Sequence, residues 1–534
     1  MATAIELIRQ GRKTQVWTKY CGFLDLSIDE FMQIQERLLL EQISLLHTSE
    51  IGKEVIGSHL PTSLEEFRNT VSLTTYEDYE KYFEEQIDDV LPEKAYAWGH
   101  TSGRSGKFKW VPYTKQAYDK MGERVLAGII LAAAREKGDM RLQEDDTMVY
   151  NTPPRPYISG IVLRALADQF NFNFIPPLDK TEEMEFQERI ASGFDYGMRN
   201  GIDILGSLSV VLVRMGERFA EGASSGGFSA RMLYPPTLFR LIRGYLRARL
   251  EGRPMLPKDL WKIKALPTGG MDTSLYRDKI TYYWGVEPHE QYGSTEEGAI
   301  ATQAWNKKGM IFFPDAALLE FIPEEEWVKT RQDPNYIPQT VLLNEVEANK
   351  KYEVVITNFN GRPLVRYRMH DIIEFTDLED KEAGIALPQM QFVGRSADFI
   401  DLAGFTGLID EKMVWRSMLE TEIDYEEWSI RKESEDSDPI LHLYFEPKEM
   451  MDGDTVKKLF HERLAAHNPF YADYADMIGK DAIKVTMLHP GAFMGYMQEM
   501  NERGADLAHI KPPHMNASDE IIAMLLDHSK KAAP

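Results

Sequence analysis

The chain has 534 residues, 43% of them hydrophobic and 27% charged, with 61 basic against 85 acidic side chains, a net charge of −24 and one cysteine, Cys21. It is too long for one ordinary domain and long enough for a large core. The acidic balance argues against nucleic acid as a partner, and the cysteine count excludes a disulfide framework or a cysteine metal cluster, which suits a reducing cytoplasm.

The opening "MATAIELIRQGRK" has no long apolar core and is not read as a signal peptide. In "SIDEFMQIQERLLLEQISLLH", Ser27 and Glu30 form a capping-box pattern, and Ile28, Phe31, Ile34, Leu38 and Leu45 recur at helical spacing. This predicts a core-facing helix. "SLTTYEDYEKYFEEQ" predicts a second helix entered from a polar turn. "LAGIILAAA" from Leu126 is too short to span a bilayer and reads as part of a buried helix, so no membrane span is expected.

From about residue 145 short strands and helices alternate. "TMVY" and "FNFIPP" read as strands, as does "LWKIKALPTGG". "IVLRALADQF", "FQERIASGFDYGMRNG" and "LYPPTLFRLIRGYLRARLEG" read as helices. This is the texture of an α/β fold with helices covering a sheet. After residue 310, "ALLEFIP", "QTVLLNEV", "KKYEVVITNF" and "LVRYRMHDIIEFTD" read as an antiparallel sheet or small barrel. "VGRSADFIDLAG" has the composition of a hinge. Beyond it "EEWSIRKE", "ILHLYFEP", "DTVKKLFHERLAAH" and "AIKVTML" form a compact α+β piece, with the acidic run "KESEDSD" from Lys432 read as a solvated hairpin loop. The expected organisation is a large α/β domain over 1–394, sheets flanked by helices plus a small β-barrel-like part. A hinge over 395–402 and a smaller α+β domain over 403–534 follow.

Four glycine-punctuated stretches carry candidate chemistry. "TSGRSGKFK" (101–109) combines glycines that let backbone approach a ligand, hydroxyls that donate to phosphate oxygens, and the cations Lys107 and Lys109. It lacks the G-K-[ST] ending of a P-loop, and taken alone a plain loop is the simpler reading. "LPTGGMD" (266–272) follows an apolar strand, where open α/β sheets hold ligands, although a plain strand-to-helix turn explains it as well. "EQYGSTEEG" (290–298) offers Tyr292, Ser294, Thr295 and Glu296, a carboxylate suited to Mg²⁺ beside phosphates. "LVRYRMHDIIEF" (364–375) places Asp371 where it would accept from ribose hydroxyls, or else pair with an arginine on a surface strand.

The order of these stretches, followed by "GRSADFI", resembles the adenylate-forming superfamily of acyl-CoA synthetases, peptide-synthetase adenylation domains and luciferases. Within it, "FRNTVSLTTYEDYEKYFEE" and "HPGAFMGYMQEMNERGADLAHIKPPHM" resemble the auxin-responsive Gretchen Hagen family of acyl-acid amido synthetases. The resemblance implies a mobile C-terminal domain and a two-step ligase using ATP and Mg²⁺: a carboxylic acid becomes an acyl-adenylate, then passes to an amine such as an amino acid. By motif position, Thr101, Ser102, Gly103, Arg104, Ser105 and Lys109 would meet phosphates. Gly269, Gly270, Tyr292 and Gly293 would border the nucleotide and acyl group. Thr295 would lie near the α-phosphate and Glu296 would hold Mg²⁺. Asp371 would bind ribose, Arg395 and Asp398 would sit at the hinge, and Lys511 would act from the C-terminal domain.

The chain departs from the pattern at several points. Arg104 replaces a threonine, Phe108 a proline and His370 a glycine, and "AHIKPPHM" lacks the family's glutamine, tyrosine and arginine. Transfer to coenzyme A and a nucleotide-binding protein without turnover therefore stand as alternatives. An aliphatic, Met-rich acyl pocket is expected between "ILGSLSVVLVRMG" and the 269–272 and 292–296 turns, with help from "MGERVLAGII".

Overall fold

The computed structural model describes residues 4–100, 109–184, 186–224, 235–269, 273–333, 335–400, 402, 408–435, 438–478, 480–503 and 511–532. The chain divides into two compact units, one of residues 1–369 with 373–392, the other of 370–372 with 393–534.

In the first unit, β1 (Ala97–His100) and β2 (Trp110–Tyr113) form an antiparallel ribbon, with Ala97 opposite Tyr113. A twelve-stranded sheet follows. Its strands are β3 (Thr147–Tyr150), β4 (Asn173–Ile175), β5 (Ile204–Leu208), β6 (Pro267–Gly269), β7 (His289–Ser294) and β8 (Gly298–Gln303), then β9 (Met310–Phe312), β10 (Ala317–Pro323), β11 (Val341–Leu342), β12 (Lys350–Asn358), β13 (Tyr367–Asp377) and β14 (Gln389–Arg395). They lie in the order β11-β10-β12-β13-β14-β9-β8-β7-β6-β5-β3-β4, and the division between the units falls within β13 and β14.

From β4 through β3, β5 and β6 to β7 the pairing is parallel. The intervening helices, among them Ile158–Gln169, Phe186–Asn200, Ser209–Ser224 and Thr273–Trp284, supply the crossovers that parallel strands require. At β7 the direction changes, because a three-residue turn returns the chain as antiparallel β8. The pairs β8–β9, β9–β14 and β10–β12 continue the antiparallel part. The strands expected after residue 310 thus extend one sheet with the parallel half.

The helix Ile28–Leu46 starts on the expected box: Glu30 N–H donates to Ser27 Oγ at 3.2 Å, and Ser27 N–H donates to Glu30 Oε2 at 2.8 Å. Its buried stripe is Phe31, Gln35, Leu39, Gln42, Ile43 and Leu46, rotated one position from the expected Ile34, Leu38 and Leu45. The glutamines explain the rotation. Gln35 Nε2 donates to Ala317 O and Gln42 Nε2 to Arg362 O, both at 2.6 Å, so each glutamine serves a buried carbonyl.

The helix Lys115–Ala133 contains the apolar run and is buried along its second half. It meets the helix Ile158–Gln169 at Gly122, where a Cβ would come within 2.4 Å of Ala165 O. "SLTTYEDYEKYFEEQ" differs from the expected helix. It is a 3-10 turn at Tyr76–Asp78 and one α-turn at Glu80–Phe83. Tertiary anchors hold it: Val365 N–H donates to Tyr79 Oη at 2.9 Å, and the Tyr79 and Phe83 rings stack at 5.4 Å. The strand read in "LWKIKALPTGG" is likewise confined to Pro267–Gly269, with one bridge, Ile204–Ala265, before it.

The second unit is built on β15 (Tyr425–Glu435), β16 (Asp438–Pro447) and β17 (Ile483–Met487), in the order β15-β16-β17. The helix Gly453–His467 lies in the crossover to β17, which runs parallel to β16. Lys432–Glu435 belongs to β15 and is not loop: Glu433 faces Ile440 and holds His442 Nδ1 at 2.6 Å, so the acidic run is paired through Glu435. Among the described residues no helix is long and apolar enough to cross a membrane.

Candidate active site

The turn between β7 and β8 carries Thr295, Glu296 and Glu297 at the C-terminal end of the parallel strands. Gly293 makes the turn possible. A Cβ there would lie 2.5 Å from Gly298 O, so any side chain would force the two strands apart. The turn is fixed from several sides. Tyr113 Oη donates to Thr295 O at 2.6 Å, and Asn358 Nδ2 donates to Glu296 O at 3.1 Å.

Glu297, 2% exposed, is the centre of the arrangement. It accepts from Arg124 and Arg362, each at 2.8 Å, and from Asn358 Nδ2 at 2.6 Å. Burial pushes its carboxyl up from the usual range, against the pull of Arg362 and Arg124. Arg362 also lies over the Tyr113 ring at 3.9 Å and donates to Pro112 O. One carboxylate thus joins the helix Lys115–Ala133, the β7–β8 turn and the segment after β12.

Lys109 lies just before β2, its ammonium 4.9 Å from the centre of the Tyr76 ring. Trp110 N–H donates to Tyr76 Oη at 3.0 Å. Burial, with smaller contributions from the charges of Glu84, Glu80 and Glu296, pushes the Tyr76 phenol up to about 12. Tyr76 therefore stands within electrostatic reach of Glu296 and in contact with Lys109. Tyr292 is buried, its ring 5.7 Å from Phe392. Gly269 ends β6 opposite Leu208, with no atom of the described residues within 4 Å of where a Cβ would stand. The expected phosphate contacts Thr101, Ser102, Gly103, Arg104 and Ser105, and also Gly270, lie outside the described residues.

Among the described residues no group of three or more His, Cys, Asp or Glu is placed to hold a metal ion. A lone carboxylate such as half-buried Glu296 is nevertheless a donor of the kind Mg²⁺ uses when substrate phosphates supply other ligands. The arginines of "LVRYRMHD" have structural partners. Arg366 grips Glu320 at 3.0 and 2.8 Å, and Arg368 grips Glu353 at 2.9 and 2.8 Å.

A cavity of about 20 Å³ lies against Leu205, Ser207 and Met215, within the stretch expected to line the acyl pocket; Phe194 and Trp261 help close it. Its volume admits a water and not an organic acid.

In the second unit Asp371 is buried, with Arg395 Nε 3.3 Å from its Oδ1. His370 has φ +59°, a conformation that suits the glycine found there in the superfamily pattern. Asp398 closes a 3-10 turn at Ser396–Asp398, and Lys511 is exposed. The segment after Lys511 is clamped to β15: Ile430 N–H donates to His514 O at 2.6 Å, and Asn516 N–H donates to Ile430 O at 2.9 Å. The His514 ring stacks on Trp428 at 4.3 Å. Its Nδ1 meets Glu411 at 2.6 Å and its Nε2 meets Glu427 at 2.7 Å. Burial opposes the imidazolium, but the charge of Glu427 and the hydrogen bonds to both glutamates outweigh it and lift the pKa to about 10.

Sequence reasoning missed Glu297, Arg124, Arg362 and His514 as determinants of local geometry. The second glutamate of "STEEG" and the arginine of "MGERV" were visible, but their pairing joins positions 173 residues apart.

The GH3 family N-terminal domain matches residues 22–168, and the GH3 family central domain matches residues 310–395. The chain is 31% identical over 144 residues to jasmonoyl–L-amino acid synthetase GH3.5 of Oryza sativa subsp. japonica, covering 25% of this chain and 23% of that protein. It is 30% identical over 139 residues to jasmonoyl–L-amino acid synthetase JAR4 of Nicotiana attenuata, covering 25% and 22%. The matched stretch thus spans about a quarter of these relatives.

Across its whole length the fold is similar to that of the AtGH3.15 acyl acid amido synthetase in complex with 2,4-DB, with a TM-score of 0.70, 17% identity, and 99% of this chain and 98% of that chain covered. It is also similar to 2-hydroxyisobutyryl-CoA ligase in its postadenylation state, with a TM-score of 0.55, 13% identity, and 99% and 94% covered. Residues 22–168 and 310–395 thus match two domains of the GH3 family, and the fold is similar to that of an acyl acid amido synthetase and of an acyl-CoA ligase.

Proposed function

We propose that this chain is an ATP-dependent ligase that activates a carboxylic acid as an acyl-adenylate and transfers the acyl group to an amine such as an amino acid. The observation that carries this reading is the Thr295–Glu297 turn, held rigidly at the C-terminal end of the parallel strands of a GH3-type fold. In the first step a carboxylate oxygen attacks the α-phosphorus, and the bond to pyrophosphate breaks. In the second an amine nitrogen attacks the acyl carbon, the bond to AMP breaks and the nitrogen loses a proton.

Two anions must meet in the first step, so cations and preorganised donors have to offset their repulsion. Lys109 and residues 101–105 are assigned to the phosphates, with Thr295 near the α-phosphate. Glu296 is assigned to Mg²⁺, whose charge would draw electron density from the phosphates. Gly269, Gly270, Tyr292 and Gly293 are assigned to the border of nucleotide and acyl group, Asp371 to ribose, and Lys511 to one of the half-reactions. Arg395 and Asp398 are assigned to a hinge near 395–402. A reducing compartment such as the cytoplasm suits Cys21, a buried thiol.

The test is pyrophosphate release from ATP with a panel of acids, then mass spectrometry of the product with amino acids and with coenzyme A. Amide formation supports the reading. A thioester alone would replace it with acid–thiol ligation, and ATP binding without release for any acid would replace it with a nucleotide-binding protein.

A further inference from the structure

At the other end of the parallel strands the charge of the chain is inverted. A cavity of about 470 Å³ lies where the helix Lys115–Ala133 ends and where the chain enters β6 and β7. Arg135, Arg141, Lys258, Lys262 and Lys307 line it, with Arg247 and Lys264 beside them, and no acidic residue is among its lining. This is on a chain of net charge −24. The floor is apolar, made by Trp261 and Trp284, whose rings stack at 6.1 Å and 13°.

Some of this charge has an internal partner. Lys264 pairs with Asp146 and Asp203, and Arg247 with Glu251. Lys258 lies over the Tyr282 ring at 4.9 Å. Arg141 and Lys307 donate instead to backbone carbonyls, Ala133 O at 3.0 Å and Glu287 O at 2.7 Å, which leaves their charge in place. Burial, with the charges of Arg277 and Arg141 and against that of Glu287, brings the Lys307 ammonium down to about 8. Among the residues that line the cavity, Arg141 adds to this depression of Lys307, and a bound anion would oppose it.

We propose that this cleft binds a compact polyanion bearing two or more phosphate groups, at a site separate from the candidate active site. The volume is that of a small-molecule site. Arginine forks and lysine point charges on several walls match clustered phosphate oxygens better than a single carboxylate. An extended nucleic acid is disfavoured because the rest of the acidic surface would repel it. The separation follows from topology. Lys264 pairs with Asp146 and Asp203, which immediately precede β3 and β5, whereas Gly269 ends β6 and Thr295 follows β7. The six residues of β7 span about 20 Å between the two ends.

The experiment uses the full chain and inorganic tripolyphosphate. Amine-directed acetylation at pH 8, read by mass spectrometry, reports Lys262 and Lys307 individually. Tripolyphosphate at submillimolar concentration is expected to slow modification of both by about fivefold or more, in the wild type and equally in Lys109→Ala. Arg141→Gln and the surface change Lys262→Glu are each expected to weaken this binding by about tenfold, the scale of one hydrogen bond to a charged group. Neither is expected to alter pyrophosphate release. Protection lost in Lys109→Ala would place the anion at the candidate active site and overturn the proposal. So would the absence of protection, or protection matched by sodium chloride of equal ionic strength.

Discussion

Arg362 and Glu297 meet at 2.8 Å, 1% and 2% exposed, so the carboxylate that fixes the β7–β8 turn is paired entirely out of contact with bulk water. Arg124 on the other side makes the carboxylate a bridge between two guanidiniums. Removing it would leave two buried cations facing each other. Glu297→Ala is therefore expected to destabilise the first unit by about 3–5 kcal/mol. Urea unfolding followed by tryptophan fluorescence measures this. A change below about 1 kcal/mol would mean that the bridge contributes little beyond geometry.

Lys109→Ala removes the cation over Tyr76. If Lys109 stabilises charge on the phosphates, acid-dependent pyrophosphate release should fall about 10²–10³-fold with the fold intact. Unchanged release would assign Lys109 to packing on Tyr76 alone.

His514 gives a pH signature. Its folded-state pKa is raised to about 10, above the ordinary value near 6.5. The stability it contributes is full below about pH 6.5 and is lost as pH rises through about 10. Unfolding of the second unit should become easier across that window in the wild type, and less steeply so in His514→Gln. Parallel pH dependences for the two proteins would show that the charge of His514 does not hold the 511–516 segment.

Lys511 is three residues before that anchor, and Pro512 and Pro513 restrict the chain between them. Lys511→Ala should slow one half-reaction far more than the other when adenylate formation and acyl transfer are timed separately. Equal rates in both steps would remove Lys511 from the chemistry.

Much of the architecture was readable from local pattern. The Ser27–Glu30 box marked a helix start, and the alternation after residue 145 marked a sheet covered by helices, because capping and periodicity are properties of neighbouring residues. Tyr76, Tyr79 and Phe83 imitate a helical repeat, yet the Tyr76 and Tyr79 hydroxyls accept from the backbone N–H groups of Trp110 and Val365, Phe83 packs edge-on against Trp98, and no continuous helix forms. The same limit applies at the site. "YGSTE" announces a turn, but which carboxylate points out and which is buried depends on Arg124 and Arg362, and no local pattern encodes that.

The chain's single cysteine has a practical consequence. Cys21 ends the helix Lys13–Cys21, is fully buried, and approaches Ala127 O of the long buried helix, and burial pushes its thiol far above the ordinary range. An aqueous thiol reagent can reach it only when the packing between those two helices opens, and only a thiolate reacts. Alkylation of native protein is thus a clock for opening of the packing around Cys21 in the first unit, with no engineered label needed.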